Sequence, residues 1–525
     1  MLYKVLKYVR VIVAIAMLAT ITFFFLDFAG IAPQWASDLL NLQLVPSLLK
    51  GFDVTFIILI LLTLIAGRIY CSVICPLGIF QDVISRIAKW RKKKRKRYAY
   101  TSPKNILRFS ILAVTGITAI FGFGLILNLL DPYSIYGRIA TNLFRPVYIG
   151  GNNLIATVES NFDTYNFYYV GINTFSAFTF SLSLLMLLAV VYMAYKYGRL
   201  YCNTICPVGA LLGLLSRVSL FKIKINPKAC TKCRKCEISC KSSCINSKEY
   251  EVDFSRCVSC FNCTTSCSYN AICYKFSPSP KTTPKPKEEK AVLTFSSPTV
   301  NVPEDVGKRR FIGTAIGAFA SIGLLAQEKI ISGVSTVSYK KENPVSPPGS
   351  ISFAHFKSKC TACHACVSRC PSQVIKPSFM QYGLDGLMLP RMDYFASFCN
   401  FECTTCTEVC PTGALQPLTV EQKKVLQIGK VVFVKENCVV YVQEVDCGAC
   451  SEHCPTKAVD MVPYKGTLTI PQINTDICVG CGGCEFICPV RPMRAIYIEG
   501  NPIHLTANKP EEAEKKEVEM EEFPF

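Results

Sequence analysis

Long apolar runs alternate with basic stretches over the first 200 residues of the chain. A helix needs about 20 apolar residues to cross a bilayer, and four runs approach or reach that length. They are residues 11–26, 54–67, 109–130 and 170–195. A shorter run rich in Gly and Ala, residues 311–327, predicts a fifth span, with a buried soluble helix as the alternative. The pattern predicts an α-helical membrane domain over residues 1–222 and a further anchor over 309–328.

The basic residues indicate the orientation of these spans. Lys and Arg are concentrated before residue 11, between 67 and 109, after 195 and just before 311. Short loops rich in Lys and Arg stay in the cytoplasm, so the N-terminus is predicted to be cytoplasmic and the loops near 30–50 and 131–169 to face outward. Five crossings place everything after residue 327 in the periplasm. Much of the net charge of +20 then comes from basic residues that orient the spans. The basic run at 91–97 is likewise interpreted as a cytoplasmic loop between two spans rather than as a nucleic-acid-binding patch.

Two segments have the composition of solvated chain. Residues 276–308 are rich in Pro, Lys, Ser and Thr and predict an extended linker. Residues 506–525 carry repeated Glu and predict an acidic disordered tail.

Thirty cysteines stand beside only four histidines. The histidines lie away from the main apolar runs, which excludes a membrane protein with histidine-bound haem b. The cysteines follow the bacterial ferredoxin spacing C-x2-C-x2-C-x3-C, in which the fourth cysteine ligates the neighbouring cluster. Two such runs occupy residues 223–275 and predict a cytoplasmic 2[4Fe-4S] domain of the α+β ferredoxin type. With the fourth ligands exchanged, the two predicted ligand sets are Cys230, Cys233, Cys236 and Cys267, and Cys257, Cys260, Cys263 and Cys240.

Four more runs lie within residues 345–505 and predict a periplasmic domain with four clusters. Two of them have a lengthened first gap, of three residues after Cys399 and eight after Cys438. The same exchange predicts these ligand sets: Cys360, Cys363, Cys366 and Cys410; Cys399, Cys403, Cys406 and Cys370; Cys438, Cys447, Cys450 and Cys488; Cys478, Cys481, Cys484 and Cys454. The chain is therefore expected to hold six [4Fe-4S] clusters on 24 cysteines.

Other uses of these cysteines fit the spacing less well. Disulfides do not require the repeated triplets, and structural zinc usually uses paired C-x2-C motifs. The sequence Cys360-Thr-Ala-Cys363-His364 matches the signature for attachment of haem c, but haem would leave Cys366 and Cys370 without a role. Cys244 and Cys273 are predicted to be buried thiols, with alternative ligands as the other interpretation.

An internal repeat follows two of the apolar runs. GRIYCSVICPLG begins at Gly67 and GRLYCNTICPVG at Gly198, with eight of twelve positions identical and an offset of 131 residues. The repeat predicts two related two-helix halves about a pseudo-twofold axis. Four cysteines would then converge and suit a metal ion or an additional cluster; the alternative is two separate thiol pairs. These cysteines are Cys71, Cys75, Cys202 and Cys206.

With these motifs the first 275 residues resemble the NapH/NosR-type polytopic membrane ferredoxins, which have paired GRxYCxxxCPxG motifs and an outer-loop segment similar to LDPYSIYGR at 130–138. Residues 345–505 resemble the NapG/MauM-type exported ferredoxins with four clusters. The resemblance implies a fusion of the two types that takes electrons from quinol. GKRRFIGTAIGAFASIGLLA, from Gly307, is similar to a twin-arginine signal retained as an anchor; a plain positive-inside anchor is the alternative.

The sequence therefore predicts an inner-membrane electron carrier rather than a terminal reductase, either alone or as a quinol dehydrogenase subunit. Its partners would be the quinone pool and a periplasmic cytochrome or reductase. Asp131, Tyr133 and Arg138 are the predicted neighbours of the quinol. The competing hypothesis is an assembly factor that binds or reduces copper with the paired CxxxCP motifs.

Overall fold

The computed structural model describes residues 2–51, 53–91, 98–163, 165–172, 176–277 and 337–509. The chain divides into two compact units, residues 1–27 with 31–329 and residues 28–30 with 330–525. The linker predicted at 276–308 lies outside the described residues except for its first two positions. The predicted span at 309–328 and nearly all of the predicted tail, from residue 510 onward, lie outside them as well.

The first unit begins with a helical region. Its α-helices are α1 Leu2–Leu26, α2 Gln34–Asn41, α3 Leu44–Leu49, α4 Val54–Ala66, α5 Tyr70–Val73, α6 Pro76–Arg91, α7 Asn105–Ile120, α8 Leu125–Leu130, α9 Pro132–Ile139, α10 Arg145–Ser160, α11 Ala177–Tyr197, α12 Leu200–Thr204 and α13 Pro207–Ser216. A π-helical stretch, Ala140–Phe144, joins α9 to α10.

Two of these helices are long and apolar enough to cross a membrane: Tyr3–Leu26 and Ala177–Tyr197. Val54–Ala66 and Asn105–Ile120 are apolar but shorter, so four full-length spans are not confirmed. The second run, residues 54–67, forms a helix of only 13 residues, because Gly67 takes a positive φ of 79° and ends α4. The third run is also not one helix, because a turn containing Gly122, at φ 82°, separates α7 from α8.

The predicted outer loops are largely helical. Residues 30–50 contain α2 and α3, and residues 131–169 contain α9, the π-helical stretch and α10. Every residue of α9 is buried. These segments are therefore largely helical rather than irregular, and their outward orientation stays a prediction.

The two repeats build the same local structure. Gly67 and Gly198 end α4 and α11 with φ of 79° and 75°. A short helix follows each glycine, and a Cys-Pro pair then begins α6 or α13. Proline suits the first turn of a helix because its missing N–H would have no partner there. The sequence repeat therefore corresponds to a structural repeat.

The ferredoxin module of the first unit has the order β1 Phe221–Ile225, α14 Lys235–Ser239, β2 Ile245–Asn246, β3 Glu251–Val252, α15 Asn262–Ser266 and β4 Ile272–Phe276. β1 pairs with β4 in antiparallel register, and β2 pairs with β3. Ile223, Ile245, Phe254 and Ile272 form its core together with buried cysteines. This arrangement confirms the predicted α+β ferredoxin fold.

The second unit contains two further modules of this kind. Its helices and strands are α16 Phe353–Lys359, α17 Ala365–Arg369, β5 Ile375–Pro377, β6 Pro390–Met392, α18 Thr405–Glu408, α19 Val420–Lys424, β7 Leu426–Phe433, α20 Val439–Gln443, α21 Ala449–Glu452, β8 Val459–Lys465, β9 Leu468–Ile473, α22 Gly483–Ile487 and β10 Ile496–Thr506. Antiparallel pairs form between β5 and β6, β7 and β10, and β8 and β9.

Candidate iron-sulfur sites

The first ferredoxin module gathers its cysteines into two groups, named here by their first residue. The 230 set lines one cavity and comprises Cys230, Cys233, Cys236 and Cys267. The 257 set comprises Cys257, Cys260, Cys263 and Cys240. Burial, followed by the thiols of Cys260, Cys257 and Cys240, raises the pKa of Cys263, which places these four side chains close together.

Four groups of the same kind occur in the second unit. The 360 set and the 438 set each line a cavity; they are Cys360, Cys363, Cys366 and Cys410, and Cys438, Cys447, Cys450 and Cys488. The 399 set and the 478 set are recognised from thiols that raise one another's pKa after burial. They are Cys399, Cys403, Cys406 and Cys370, and Cys478, Cys481, Cys484 and Cys454. The long gap after Cys438 is taken up by α20, and Cys438 still reaches its cavity.

The four sets of the second unit follow one another in space. Cys406 of the 399 set is an electrostatic neighbour of Cys366 in the 360 set. The backbone N–H of Cys399 donates to the carbonyl of Cys481 at 2.9 Å, which joins the 399 set to the 478 set. Cys450 of the 438 set is in turn a neighbour of Cys484. The spatial order is therefore 360, 399, 478, 438.

The regular runs share a backbone feature that fits an anionic cluster. In each of them the residues on both sides of the second cysteine have positive φ, between 48° and 81°. They are Lys232 and Arg234, Ser259 and Phe261, Ala362 and His364, and Gly480 and Gly482. Alternating right- and left-handed backbone turns successive N–H groups toward one centre and makes an anion-binding concavity. The loops are therefore shaped for a negatively charged group held by the cysteines.

Two cysteines belong to none of these sets. The Cys244 thiol is buried and lies 3.5 Å from the Sγ of Cys240. Cys273 lies on β4, and its Sγ is 3.7 Å from the carbonyl oxygen of Asn270. Cys244 is thus a buried thiol, as predicted, and borders the 257 set; Cys273 is only partly buried, so the prediction of a buried thiol is wrong for it.

The cysteines of the internal repeat are brought together. Cys71, Cys75, Cys202 and Cys206 are each 2–3% exposed. Burial raises the pKa of Cys206 well above its ordinary value, and the neighbouring thiols of Cys202, Cys75 and Cys71 raise it further. Across the described ranges no three Cys, His, Asp or Glu side chains are grouped so as to hold a single metal ion. Whether these four thiols bind a metal remains a prediction.

Two buried arginines cross between the repeats and fix the cysteine loops. Arg68 of the first repeat donates from Nη2 to the carbonyl of Cys202 at 3.1 Å. Arg199 of the second repeat donates from Nη1 to the carbonyl of Cys71 at 2.7 Å. Both guanidinium groups are completely buried. Each half therefore satisfies a backbone acceptor of the other, which is the reciprocal geometry that a pseudo-twofold axis requires.

The segments predicted as outer loops contact the same motifs. The hydroxyl of Tyr70 donates to the side-chain oxygen of Gln43 at 3.0 Å, and that of Tyr201 donates to the carbonyl of Leu130 at 2.7 Å. Asp131 begins α9 by accepting from the N–H of Ser134 at 2.8 Å. Each repeat therefore carries a tyrosine that contacts an earlier segment of the chain: Tyr70 contacts the residue before α3, and Tyr201 contacts the end of α8.

The residues predicted to neighbour a quinol are enclosed. Asp131 and Tyr133 are 1% exposed, and Arg138 is fully buried and donates to the carbonyl of Asn128 at 2.6 Å. Within the described part of the chain they are packed in the protein interior close to the repeat motifs, and their contact with a quinol stays a prediction.

Sequence reasoning missed Arg68, Arg199 and Asp82 as residues of this region. Asp82 accepts from Nε of Arg199 at 2.7 Å and also pairs with Lys241. Burial would raise the pKa of Asp82, but Arg199 and Lys241 together lower it well below its usual range. The identity of Gly-Arg in both repeats was the available signal for the arginines. Nothing in the repeat marked Asp82, because the equivalent position is Gly213.

Three family models match parts of the chain. A 4Fe-4S binding domain matches residues 54–98 and 178–226. A 4Fe-4S dicluster domain matches 445–491, and another 4Fe-4S binding domain matches 354–376. No solved structure matches the chain.

Among curated proteins, the ferredoxin-type protein NapF of Escherichia coli strain K12 is 29% identical over 170 residues, covering 32% of this chain and 95% of NapF. The ferredoxin-type protein NapG of the same strain is 30% identical over 197 residues, covering 35% of this chain and 81% of NapG. The methylamine utilization ferredoxin-type protein MauM of Methylobacillus flagellatus is 32% identical over 153 residues, covering 27% of this chain and 62% of MauM. By these matches the chain belongs to the ferredoxin-type iron-sulfur proteins represented by NapG and MauM.

Proposed function

We propose that this protein is a membrane-bound electron carrier that takes electrons from quinol and passes them, through six [4Fe-4S] clusters, to a periplasmic redox partner. Bound clusters supply one-electron chemistry, and the chain supplies their ligands, spacing and electrostatic surroundings. The observation that carries this proposal is the grouping of 24 cysteines into six sets of four, each with its fourth member taken from a neighbouring run.

The order of the sets in the second unit supports conduction rather than storage. The 360 and 438 sets stand at the two ends of a continuous series, with the 399 and 478 sets between them. Electrons entering at one end therefore have a defined route to the other end. A partner that accepts electrons would dock beside one of the terminal sets.

A membrane location is supported by the exposed surfaces of the helices. Large apolar side chains are exposed along α1, α4, α7 and α11; examples are Ile12 at 66%, Ile58 at 56%, Ile117 at 55% and Leu188 at 55%. Exposed apolar surface of this extent is typical of a protein that contacts lipid. We therefore propose a multi-pass inner-membrane protein with a cytoplasmic N-terminus and first ferredoxin module, and with the second unit in the periplasm.

Helix α3 and residues 128–143, which are largely buried, fit this topology as re-entrant elements. Irregular backbone is tolerated at membrane depth only where protein buries it, and Asp131 and the π-helical stretch are buried. The four repeat thiols would then lie between the cytoplasmic module and these segments. This position suits a relay for electrons that leave the cytoplasmic side.

An additional cluster on the four repeat thiols is supported by the family match. Residues 54–98 and 178–226 match a 4Fe-4S binding model and contain Cys71, Cys75, Cys202 and Cys206 as their only cysteines. Replacing Cys71 and Cys202 together with Ser should lower the bound iron by up to four atoms per chain. An unchanged iron count would reject a cluster there, and stoichiometric copper binding lost in the same variant would favour the metal-handling alternative.

The ligand assignment predicts a selective loss of iron. Cys363→Ser should remove up to four irons per chain, because Cys363 belongs to the 360 set and serine is a poor ligand for this cluster type. Cys273→Ser is the matched control and should leave the iron content unchanged. Iron and acid-labile sulfide would be measured on anaerobically purified protein. Equal iron in both variants would contradict the assignment.

The quinol donor is tested by stopped-flow reduction of the same anaerobic protein in detergent with a short-chain menaquinol. The visible absorbance of the clusters should bleach with quinol as it does with dithionite. Protein with a full iron content that dithionite bleaches and quinol does not would reject quinol as the donor, while leaving the electron-carrier function intact.

A further inference from the structure

A cavity of about 280 Å³ opens between the helical region and the ferredoxin module of the first unit. Helices α1 and α6 form one side, and residues flanking Cys240 and Cys263 form the other; Lys241 and Asn262 belong to the latter. The cavity is separate from the six cysteine sets and from the repeat thiols, and none of the functions proposed above uses it.

The polar part of this cavity has an excess of positive charge. Its lining includes Lys7, Arg10, Arg86 and Lys241, and among the described residues that line it Asp82 is the one with an acidic side chain. Asp82 is already paired with Arg199, Lys241 and Arg10, the last at 3.5 Å. The carboxylate therefore has no capacity left to neutralise Lys7 and Arg86, and the cavity favours an anion.

Arg10 adds an unsatisfied donor at the same place. Its side chain is 10% exposed, and its Nη1 donates to the carbonyl of Ser72 at 3.2 Å. Its Nε is buried and, within the described part of the chain, has no hydrogen-bond partner. A buried donor without a partner is unfavourable, so a ligand oxygen that accepts a hydrogen bond from this Nε would be stabilised in the cavity.

The other wall is apolar and continues onto the outer surface of the helices. Val11, Ala14 and Ile15 of α1 face Ile79 and Val83 of α6 across this part of the cavity. Ile15 is 57% exposed and Val83 40%. A small hydrophilic anion would leave these apolar side chains exposed to water, whereas an acyl chain would cover them.

We propose that the cavity binds an acidic phospholipid, with its phosphate between Lys7, Arg10 and Arg86 and an acyl chain along Val11 and Ile15. This inference rests on the membrane location proposed above. Basic cavities between helices on the cytoplasmic side suit such head groups. A neutral quinone head group would give no reason for the surplus of cations. The bound lipid would tie α1 and α6 to the ferredoxin loops beside Cys240 and Cys263.

The test uses the full chain, purified anaerobically in detergent and stripped of lipid. Binding of dioctanoyl phosphatidylglycerol is measured by native mass spectrometry, with dioctanoyl phosphatidylcholine and glycerol 3-phosphate in parallel. We expect phosphatidylglycerol to bind tightest. Lys7→Gln with Arg86→Gln should weaken it about tenfold or more, since each basic residue near an anionic lipid contributes about 1 kcal/mol. The matched control is Lys224→Gln with Lys228→Gln, on the exposed surface of the ferredoxin module, which should leave the affinity for phosphatidylglycerol unchanged.

A second pair of variants tests the apolar wall. Ala14→Trp should fill the cavity and abolish lipid binding, whereas Ile12→Trp, on the exposed part of α1, should not. The proposal would be overturned if phosphatidylcholine bound as tightly as phosphatidylglycerol, or if glycerol 3-phosphate bound tightly. It would also be overturned if the two charge variants lost the same amount of affinity for phosphatidylglycerol. Recovery of bound quinone instead of phospholipid from wild-type protein, and its loss in Ala14→Trp, would also overturn it. Iron content and bleaching by quinol, measured on the same samples, separate these outcomes from a failure of the proposed function.

Discussion

The two halves of the internal repeat have the same backbone but different charges. Arg68 and Arg199 are equivalent by the offset of 131 residues, and each donates to the cysteine carbonyl of the other half. Arg199 is also paired with Asp82. The position equivalent to Asp82 is Gly213, which has no carboxylate. Instead of an ion pair, Arg68 therefore makes hydrogen bonds to the side chain of Asn203 and to the carbonyl of Ser255.

The missing carboxylate is replaced by a second cation. A Cβ atom on Gly213 would lie 1.7 Å from Nη2 of Arg108, so glycine makes room for this guanidinium group. Arg108 donates to the carbonyls of Gly209 and Ser255 at 3.0 and 2.9 Å. Burial, followed by the charge of Arg68, lowers the pKa of Arg108 to about 10. One side of the cysteine site is thus neutralised by Asp82, whereas the side of Arg68 holds two arginines and is electropositive, which favours an anionic occupant there.

From this comparison we expect Asp82→Asn to lower the stability of the protein more than any other substitution considered below. The substitution leaves Arg199 and Lys241 buried without their carboxylate, and breaking a buried ion pair from one side costs about 3–5 kcal/mol. Thermal unfolding can be followed by the fluorescence of Trp35 and Trp90, the two tryptophans of the chain, both in the first unit. Asp38→Asn on the exposed surface of α2 is the control and should have little effect.

The same pair gives a prediction for pH. The pKa of Asp82 is held below its usual range, so its contribution is complete above the unfolded value near 4 and is lost only as the pH falls through the lower folded pKa. The difference between wild type and Asp82→Asn should therefore stay constant between about pH 5 and 8. A difference that fades between these values would mean that Asp82 is not ionised in the folded protein.

The next largest loss of stability is expected at Gly78 and Gly209, where the two repeats have the same close backbone contact. A Cβ on Gly78 would lie 2.3 Å from the carbonyl oxygen of Cys71, and one on Gly209 would lie 2.1 Å from that of Cys202. Gly78→Ala and Gly209→Ala should each destabilise the protein by about 1–3 kcal/mol, because backbone must move to relieve the overlap. Gly116→Ala, which meets no atom within 4 Å on α7, should be neutral or slightly stabilising. Unequal costs for the first two variants would show that the backbone symmetry is broken as well.

The same region illustrates how much the sequence predicts. The spacing of the cysteines suffices to predict which four thiols come together in each set, because the exchange of the fourth cysteine is a property of the motif itself; that each set holds a cluster stays a proposal. The repeat predicts that Cys71 and Cys202 come together. It does not predict Asp82, since an ion pair between residues 117 positions apart depends on how α6 packs against the loop after α11. Hydropathy alone also could not separate α7 from α8, because Phe121 and Phe123 keep the average high through the turn.

We expect the smallest loss of stability when the hydroxyl groups of the two repeat tyrosines, Tyr70 and Tyr201, are removed. The Tyr70 hydroxyl accepts from the N–H of Leu44 at 3.1 Å and donates to Gln43, whereas that of Tyr201 has the carbonyl of Leu130 as its described partner. Tyr201→Phe should cost about 1 kcal/mol, and Tyr70→Phe somewhat more because it leaves a buried N–H and an amide oxygen unpaired. Both variants keep the ring and its packing, so thermal unfolding measures the hydroxyl alone. A larger loss for Tyr201→Phe would mean that the segment at 130–138 is held by this one contact more than by the burial of α9. That segment would then be the weaker of the two that cover the cysteine site.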